Sequence, residues 1–216
     1  MRIIIKTGLA AIVFLIAISV NAQDKPLTFG IKAGMNISNF SGDGVDDSDA
    51  RIGFNAGVTL DITLTPDVYL LTGLEFTTKG AKTKGLVNAT DASGALIEGS
   101  GKCNPMYLQL PLHIGYKIGT LGDMRFVVHT GPYIAYGIAG SYKVDGKAAG
   151  MESIDTDIFS SAFFKKFDMG LGFGVGAEFG KICTAINCDF GLINISKMEG
   201  EKIRNMSVAI SVGYKF

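Results

Sequence analysis

The sequence predicts an all-β protein: an eight-stranded antiparallel up-and-down barrel that spans a membrane and follows a cleaved leader. Three observations predict it. Eight stretches alternate apolar with small or polar residues, so each forms a strand with one greasy face. None of the apolar-face positions is charged, as lipid contact requires, because Lys or Arg at the midplane of such a barrel costs about 2–4 kcal/mol. The C-terminal stretch shows the pattern most strictly: Met206, Val208, Ile210, Val212, Tyr214 and Phe216 alternate with Ser207, Ala209, Ser211, Gly213 and Lys215.

A soluble eight-stranded barrel of lipocalin type would invert the same alternation, with its apolar face turned inward to a ligand. It would then expose Gly170, Gly172, Gly174 and Gly176 to water along one strand. Small residues fit a crowded, narrow lumen better.

Composition agrees with many short, closely packed strands: of 216 residues, 29 are Gly, none is Trp and 47% are hydrophobic. Formal net charge is zero. Loss of a leader carrying Arg2 and Lys6 leaves 18 basic against 20 acidic residues, a balance that excludes a nucleic-acid binder. Residues 1–22 read as that leader, with Arg2 and Lys6 at its start, an apolar run from Leu9 to Val20 and a Val20-Asn21-Ala22 cleavage site. The domain is then 23–216. It has no second long apolar run, so it crosses a membrane with strands or not at all. Cys103, Cys183 and Cys188 are too few and too scattered for a disulfide framework. A bridge from Cys103 is the one pairing left open, while Cys188 takes an outward apolar position.

In chain order, strand one sets Phe29, Ile31, Ala33, Met35 and Ile37 against Lys32 and its small neighbours. The acidic stretch 41–50 interrupts it. Strand two runs from Ile52 to Leu64 with Asp61 on its inner face, and Thr65-Pro66-Asp67 makes a tight turn. Strand three has Leu70, Leu74 and Phe76 outside and Tyr69, Gly73 and Glu75 inside. A long loop is expected from Lys79 to Pro105. Strand four carries Leu108 to Ile118 outward, with Tyr107, Gln109, His113 and Lys117 inward. Strand five places Arg125, His129 and Tyr133 inside, and a second long loop follows from Lys143 to Lys166. Strand six alternates Phe167, Met169, Leu171, Phe173 and Val175 with Asp168, glycines and Glu178. Strand seven holds Ile186, Cys188, Phe190 and Leu192 outside, with Asp189 inside, before the closing strand. Pro111 and Pro132 lie within strands, where each removes a ladder donor and predicts a bulge. The short turns at Pro66, Gly122 and Lys181 belong on the periplasmic side and the long loops outside.

Six segments in order carry a family likeness: GIKAGMNISNF, YLQLPLHIGYKI, GPYIAYGI, FDMGLGFGVGAEF, FGLINIS and SVGYKF. They resemble the PorT-like outer-membrane β-barrel family of Bacteroidetes over nearly the whole chain after the leader. The resemblance implies an eight-stranded outer-membrane barrel inserted by the barrel-assembly machinery through its C-terminal aromatic. Most members of the family have no assigned activity. Its namesake is linked to secretion and gliding, and nothing in these motifs places this chain in that branch.

The inner face holds Lys32, Asp61, Glu75, Lys117, Arg125, Asp168, Glu178, Asp189 and Lys215. An ion path and a paired network that fills the lumen both use such residues. The network is favoured, because an unpaired buried charge is costly and eight strands leave a bore only as wide as its side chains. Closure brings strand one beside strand eight, so Lys32, Asp61 and Lys215 are expected to form one cluster at the seam. His113 and His129 lack a third convergent ligand and read as polar filler. Asp43, Asp46, Asp47 and Asp49 lack calcium-loop spacing. Ser141, Ser153, Ser160 and Ser161 lie near the rim without a placed His, so no nucleophile is assigned.

No cofactor, metal or catalytic group is therefore expected. Tyr214 and Phe216 are assigned as the assembly signal at the periplasmic interface. The expected partners are outer-membrane lipid, the assembly machinery during insertion and a protein met at the outer loops. The functional expectation is a structural or interaction protein of the outer membrane. A narrow pore for ions or small solutes is the alternative, and an enzyme at the rim the lesser one.

Overall fold

The computed structural model describes residues 27–43, 48–90, 96–146, 154–159, 163–198 and 200–216. The leader 1–22 and its cleavage point lie outside the described residues, as do Asp46, Asp47, Ser153, Ser160 and Ser161.

Ten strands are described: β1 (Leu27–Asp43), β2 (Ser48–Thr63), β3 (Val68–Thr78), β4 (Ala81–Thr90), β5 (Leu96–Leu121), β6 (Met124–Gly146), β7 (Ile154–Asp157), β8 (Phe167–Phe179), β9 (Ile182–Gly191) and β10 (Lys202–Lys215). Eight of them form a closed antiparallel ring in the order β1, β2, β3, β5, β6, β8, β9, β10. The seam is the β1–β10 ladder, which runs without a break from Gly30↔Lys215 to Asp43↔Lys202. Closure leaves no ring edge exposed, so every ring strand satisfies its backbone in lipid.

The other two strands lie above the ring. β4 continues the line of β3 along β5, since Thr78↔Met106 and Lys82↔Lys102 share one register. β7 likewise pairs with β6 above the point where β8 leaves it. The expected loop Lys79–Pro105 is therefore largely strand, and within the expected loop Lys143–Lys166 the end of β6 and β7 are strand. β5 has 26 residues and β6 has 23, more than twice the ~9–11 that a membrane strand requires. In these upper stretches Gly, Ser and Lys interrupt the alternation of apolar with polar residues, so the period-two signal is lost in the sequence.

The two prolines behave differently from expectation. Pro111 pairs with Tyr133, and Ile114 pairs with Thr130 in the same register, while the positions between lapse. Pro132↔Leu171 sits in an unbroken ladder. The register shifts on the β5–β6 ladder instead fall at Met106/Tyr107 and Lys117/Thr120. The prolines lie almost opposite each other, so one local gap absorbs both missing donors and neither strand gains a residue.

Outward side chains form the apolar belt. Phe29, Ile31, Met35, Phe54, Val58, Ile114, Phe173, Val175, Ile210 and Val212 are among those exposed on the barrel wall. The turns at 64–67, 122–123 and 180–181 share one end with Leu27 and Phe216. Cys103, Cys183 and Cys188 are free thiols.

Candidate functional site in the barrel lumen

The described lumen side chains form three tiers. At the end with the short turns, Lys215 Nζ lies 2.5 Å from Asp61 Oδ2 and also pairs with Glu178. Arg125 reaches Glu178 at 4.0 Å but is half exposed at the mouth. Two cations approach the Tyr69 ring, with Lys215 and Lys117 at 5.7 and 5.8 Å from its centroid. Lys32 does not join this cluster. It pairs with Glu75 at 2.5 Å, so the expected Lys32–Asp61–Lys215 group divides in two. Register explains the division. Lys32 faces Gly57 on β2, four residues above Asp61, and four residues of strand are about 13 Å.

The middle tier contains the histidines. His113 and His129 share a hydrogen bond between their Nδ1 atoms at 2.9 Å. That bond holds one proton between the two rings, which directs their inner nitrogens at each other and away from any third group. Gln109 Nε2 donates to Asp189 Oδ2 at 2.8 Å beside them. Among the described residues, no three His, Cys, Asp or Glu side chains converge as metal ligands. Ser141 faces Asn104 in the upper part of the β5–β6 wall, well above the histidines. A cavity of about 90 Å³ runs through the lower and middle tiers, lined by Asp61, Tyr69, Glu75, His113, His129 and Lys215 among others.

The upper tier is the most deeply buried. Lys79 and Asp168 are 1% and 0% exposed and lie 3.4 Å apart. Asp168 Oδ2 also accepts from Asn205 Nδ2 at 2.9 Å and from the Tyr133 hydroxyl at 3.4 Å. The Lys79 ammonium sits 4.3 Å from the centroid of Tyr133 and 5.7 Å from that of Tyr107, and both rings are fully buried. The cation is held against aromatic faces and a carboxylate away from water, so loss of either charge would leave the other buried and unpaired.

Sequence reasoning missed Lys79 because it lies just past the end of β3, at the start of the expected loop. Its signal was present: Tyr69, Gly73, Glu75, Thr77 and Lys79 continue one inward period of two. Local structure keeps it there. Gly80 has φ +119°, which Gly adopts freely. Asn36 and Ser38 donate to the carbonyls of Thr78 and Gly80 at 2.7 and 2.9 Å. Arg51 donates to the Lys79 carbonyl at 3.2 Å.

Above this tier lies an apolar cap. The turn after β7 brings Ile158 and Phe159 over the bore, with Phe159 edge-on to Tyr107 at 5.7 Å. Phe164, Ile195 and Ile203 complete it. The inner-wall glycines make room for the filling. A Cβ on Gly170 would lie 2.7 Å from the Tyr133 ring, and one on Gly172 would lie 2.6 Å from His113 Nε2.

At the opposite end the closing strand is tied down by its last residues. The Phe216 amide donates to the Phe29 carbonyl at 2.8 Å, and the Tyr214 and Phe216 rings meet edge to face at 5.5 Å.

A closed ring of eight lipid-facing antiparallel strands with a filled lumen defines a small outer-membrane β-barrel protein. The chain belongs to the outer membrane protein beta-barrel domain family, which matches residues 21–197. No curated protein sequence matches it. Among solved structures it is similar to Neisserial surface protein A, at 11% identity and TM-score 0.49, over 88% of this chain and 99% of that one. It is also similar to Ail, the attachment invasion locus protein of Yersinia pestis, in complex with the heparin analogue sucrose octasulfate: 15% identity, TM-score 0.41, 88% and 99% of the two chains. OprG from Pseudomonas aeruginosa aligns at 14% identity and TM-score 0.38, over 89% and 97%. At such identities these likenesses say nothing about activity.

Proposed function

We propose that this protein is a non-conducting, non-enzymatic outer-membrane barrel that acts through the structure it raises outside the bilayer. One observation carries the reading: the Lys79–Asp168–Tyr107–Tyr133 tier crosses the bore with every member 1% exposed or less. A pore requires a continuous water path, and this tier interrupts it. The long β5–β6 arm, with β4 and β7 laid along it, then remains as the surface for a protein partner. Long segments beyond a scaffold are where function concentrates.

The barrel-assembly machinery is the proposed partner during insertion, through Tyr214 and Phe216. Membership of the PorT-like family of Bacteroidetes is a proposal resting on the six sequence segments alone. The narrow pore is the second reading, favoured by the cavity below the tier. Recording from the purified full chain in planar bilayers separates the two. The expected result is a silent bilayer at both polarities. Steady, reproducible conductance steps would replace the interaction reading with the pore.

A further inference from the structure

The upper edge of the apolar belt is not the same all round the barrel. On β10 the outward row reads Val212, Ile210, Val208, Met206, then Arg204 and Lys202, while Ile203 and Asn205 between them are buried. The two cations thus continue the lipid-facing row directly. One step of two residues is about 7 Å along the strand, less when tilted, so Arg204 sits at the level where lipid headgroups begin.

Lys165 occupies the matching place on the β8 side, two residues above the outward Phe167. The segments are hydrogen-bonded together: the Lys165 amide donates to the Ile195 carbonyl at 2.8 Å, and the Ile195 amide to the Ile203 carbonyl at 2.9 Å. Lys165 and Arg204 therefore stand about two strand spacings apart, roughly 10 Å. Exposed Phe163 and Met198 flank them. Among the described side chains neither Lys202 nor Arg204 has an ionic partner, and Lys165 Nζ donates only to the Asn194 carbonyl at 3.1 Å.

Several other described cations are engaged differently. Lys102 and Lys143 on the β5–β6 wall already have partners. At the opposite membrane edge Lys181 rests 5.7 Å from the Tyr214 ring centroid. The cationic face is local, at headgroup depth, on one wall.

We infer that Lys165, Lys202 and Arg204 form a docking face for the phosphate groups of an outer-leaflet glycolipid, lipopolysaccharide in a Gram-negative outer membrane. Arg grips a phosphate with a fork of donors, and the two lysines supply point charges around it. The acyl chains would lie along Met206, Val208 and Phe167 beneath. Depth in the membrane favours a lipid over a free anion, because the same row is apolar immediately below.

Native mass spectrometry of the full chain in detergent tests this. Three probes are added separately: lipid A with both phosphates, fully dephosphorylated lipid A, and inorganic phosphate. The parent is expected to retain diphosphorylated lipid A at least tenfold more than the dephosphorylated form, and to show no retention of inorganic phosphate. The Lys165→Gln, Lys202→Gln, Arg204→Gln triple variant should lose that preference, and Lys165→Arg with Lys202→Arg should keep it. Equal retention of the two lipids by the parent would overturn the inference without any variant. So would an unchanged preference in the triple variant, or inorganic phosphate bound as well as the lipid.

Discussion

Lys79 and Asp168 are held in place by burial on every side, whereas Asp61 and Lys215 keep partial access to water at 9% and 20% side-chain exposure. The two pairs should therefore answer differently to loss of one partner. Breaking a fully buried pair leaves an uncompensated charge and costs about 3–5 kcal/mol. Asp168→Ala strands Lys79 between two aromatic faces, so the variant should melt well below the parent in detergent, followed by the heat-dependent mobility shift of the folded barrel. Asp61→Ala should lower the unfolding temperature by less, since Glu178 still pairs with Lys215 and water can enter. Replacing both buried partners, as Lys79→Met with Asp168→Leu, should recover much of the loss. Equal melting of Asp168→Ala and Asp61→Ala would mean that burial does not set the cost. Sequence placed Asp61 and Lys215 on the two strands that flank strand one, but it could not place Lys32 with Glu75. Side-chain period gives the face, and only register gives the height.

Among the elements, β10 has the clearest task. It closes the ring, and its last amide bonds to Phe29 on β1. Phe216 is 68% exposed at the membrane edge and packs against Tyr214, itself pointing outward. A residue so exposed contributes little to the packing of the finished barrel, so its removal should act on assembly. Deletion of Phe216 is expected to reduce the amount of heat-modifiable barrel in outer-membrane fractions several-fold. Barrel refolded in detergent should melt within a few degrees of the parent. Normal outer-membrane levels of the truncated chain would refute the assembly role. The membrane parts of the strands were legible because lipid on one side and a packed bore on the other force opposite chemistry on alternate residues. β4, the upper halves of β5 and β6, and β7 were not, because lipid no longer forces apolar residues onto one face there and their sequence carries no regular alternation. The Ile158–Phe159 cap was hidden for a related reason: two apolar residues in a turn carry no period.

At the scale of the whole molecule, the barrel is a wall of fixed width whose contents decide whether anything passes. Eight strands leave a bore that side chains can fill, and here rings and paired charges fill it. The lower and middle tiers still leave a cavity of about 90 Å³, so on the proposed reading the barrier to a continuous path is concentrated in the upper tier and the cap. Tyr107 and Tyr133 hold both. They sandwich Lys79, and Tyr107 also supports Phe159 above. Tyr107→Ala with Tyr133→Ala removes both rings and leaves Lys79 and Asp168 in a space that water can enter. The parent is expected to be silent in planar bilayers and the double variant to conduct, with cation and anion currents of similar size, because the lumen charges are nearly balanced. Circular dichroism must show the same β content in both, so that conduction is not a sign of unfolding. A folded double variant that stays silent would place the barrier elsewhere, in the cap, and adding Phe159→Ala would then be the step that opens the bore. A conducting parent would instead show that the upper tier moves aside on its own, and the closed barrel would be one state of a gated channel.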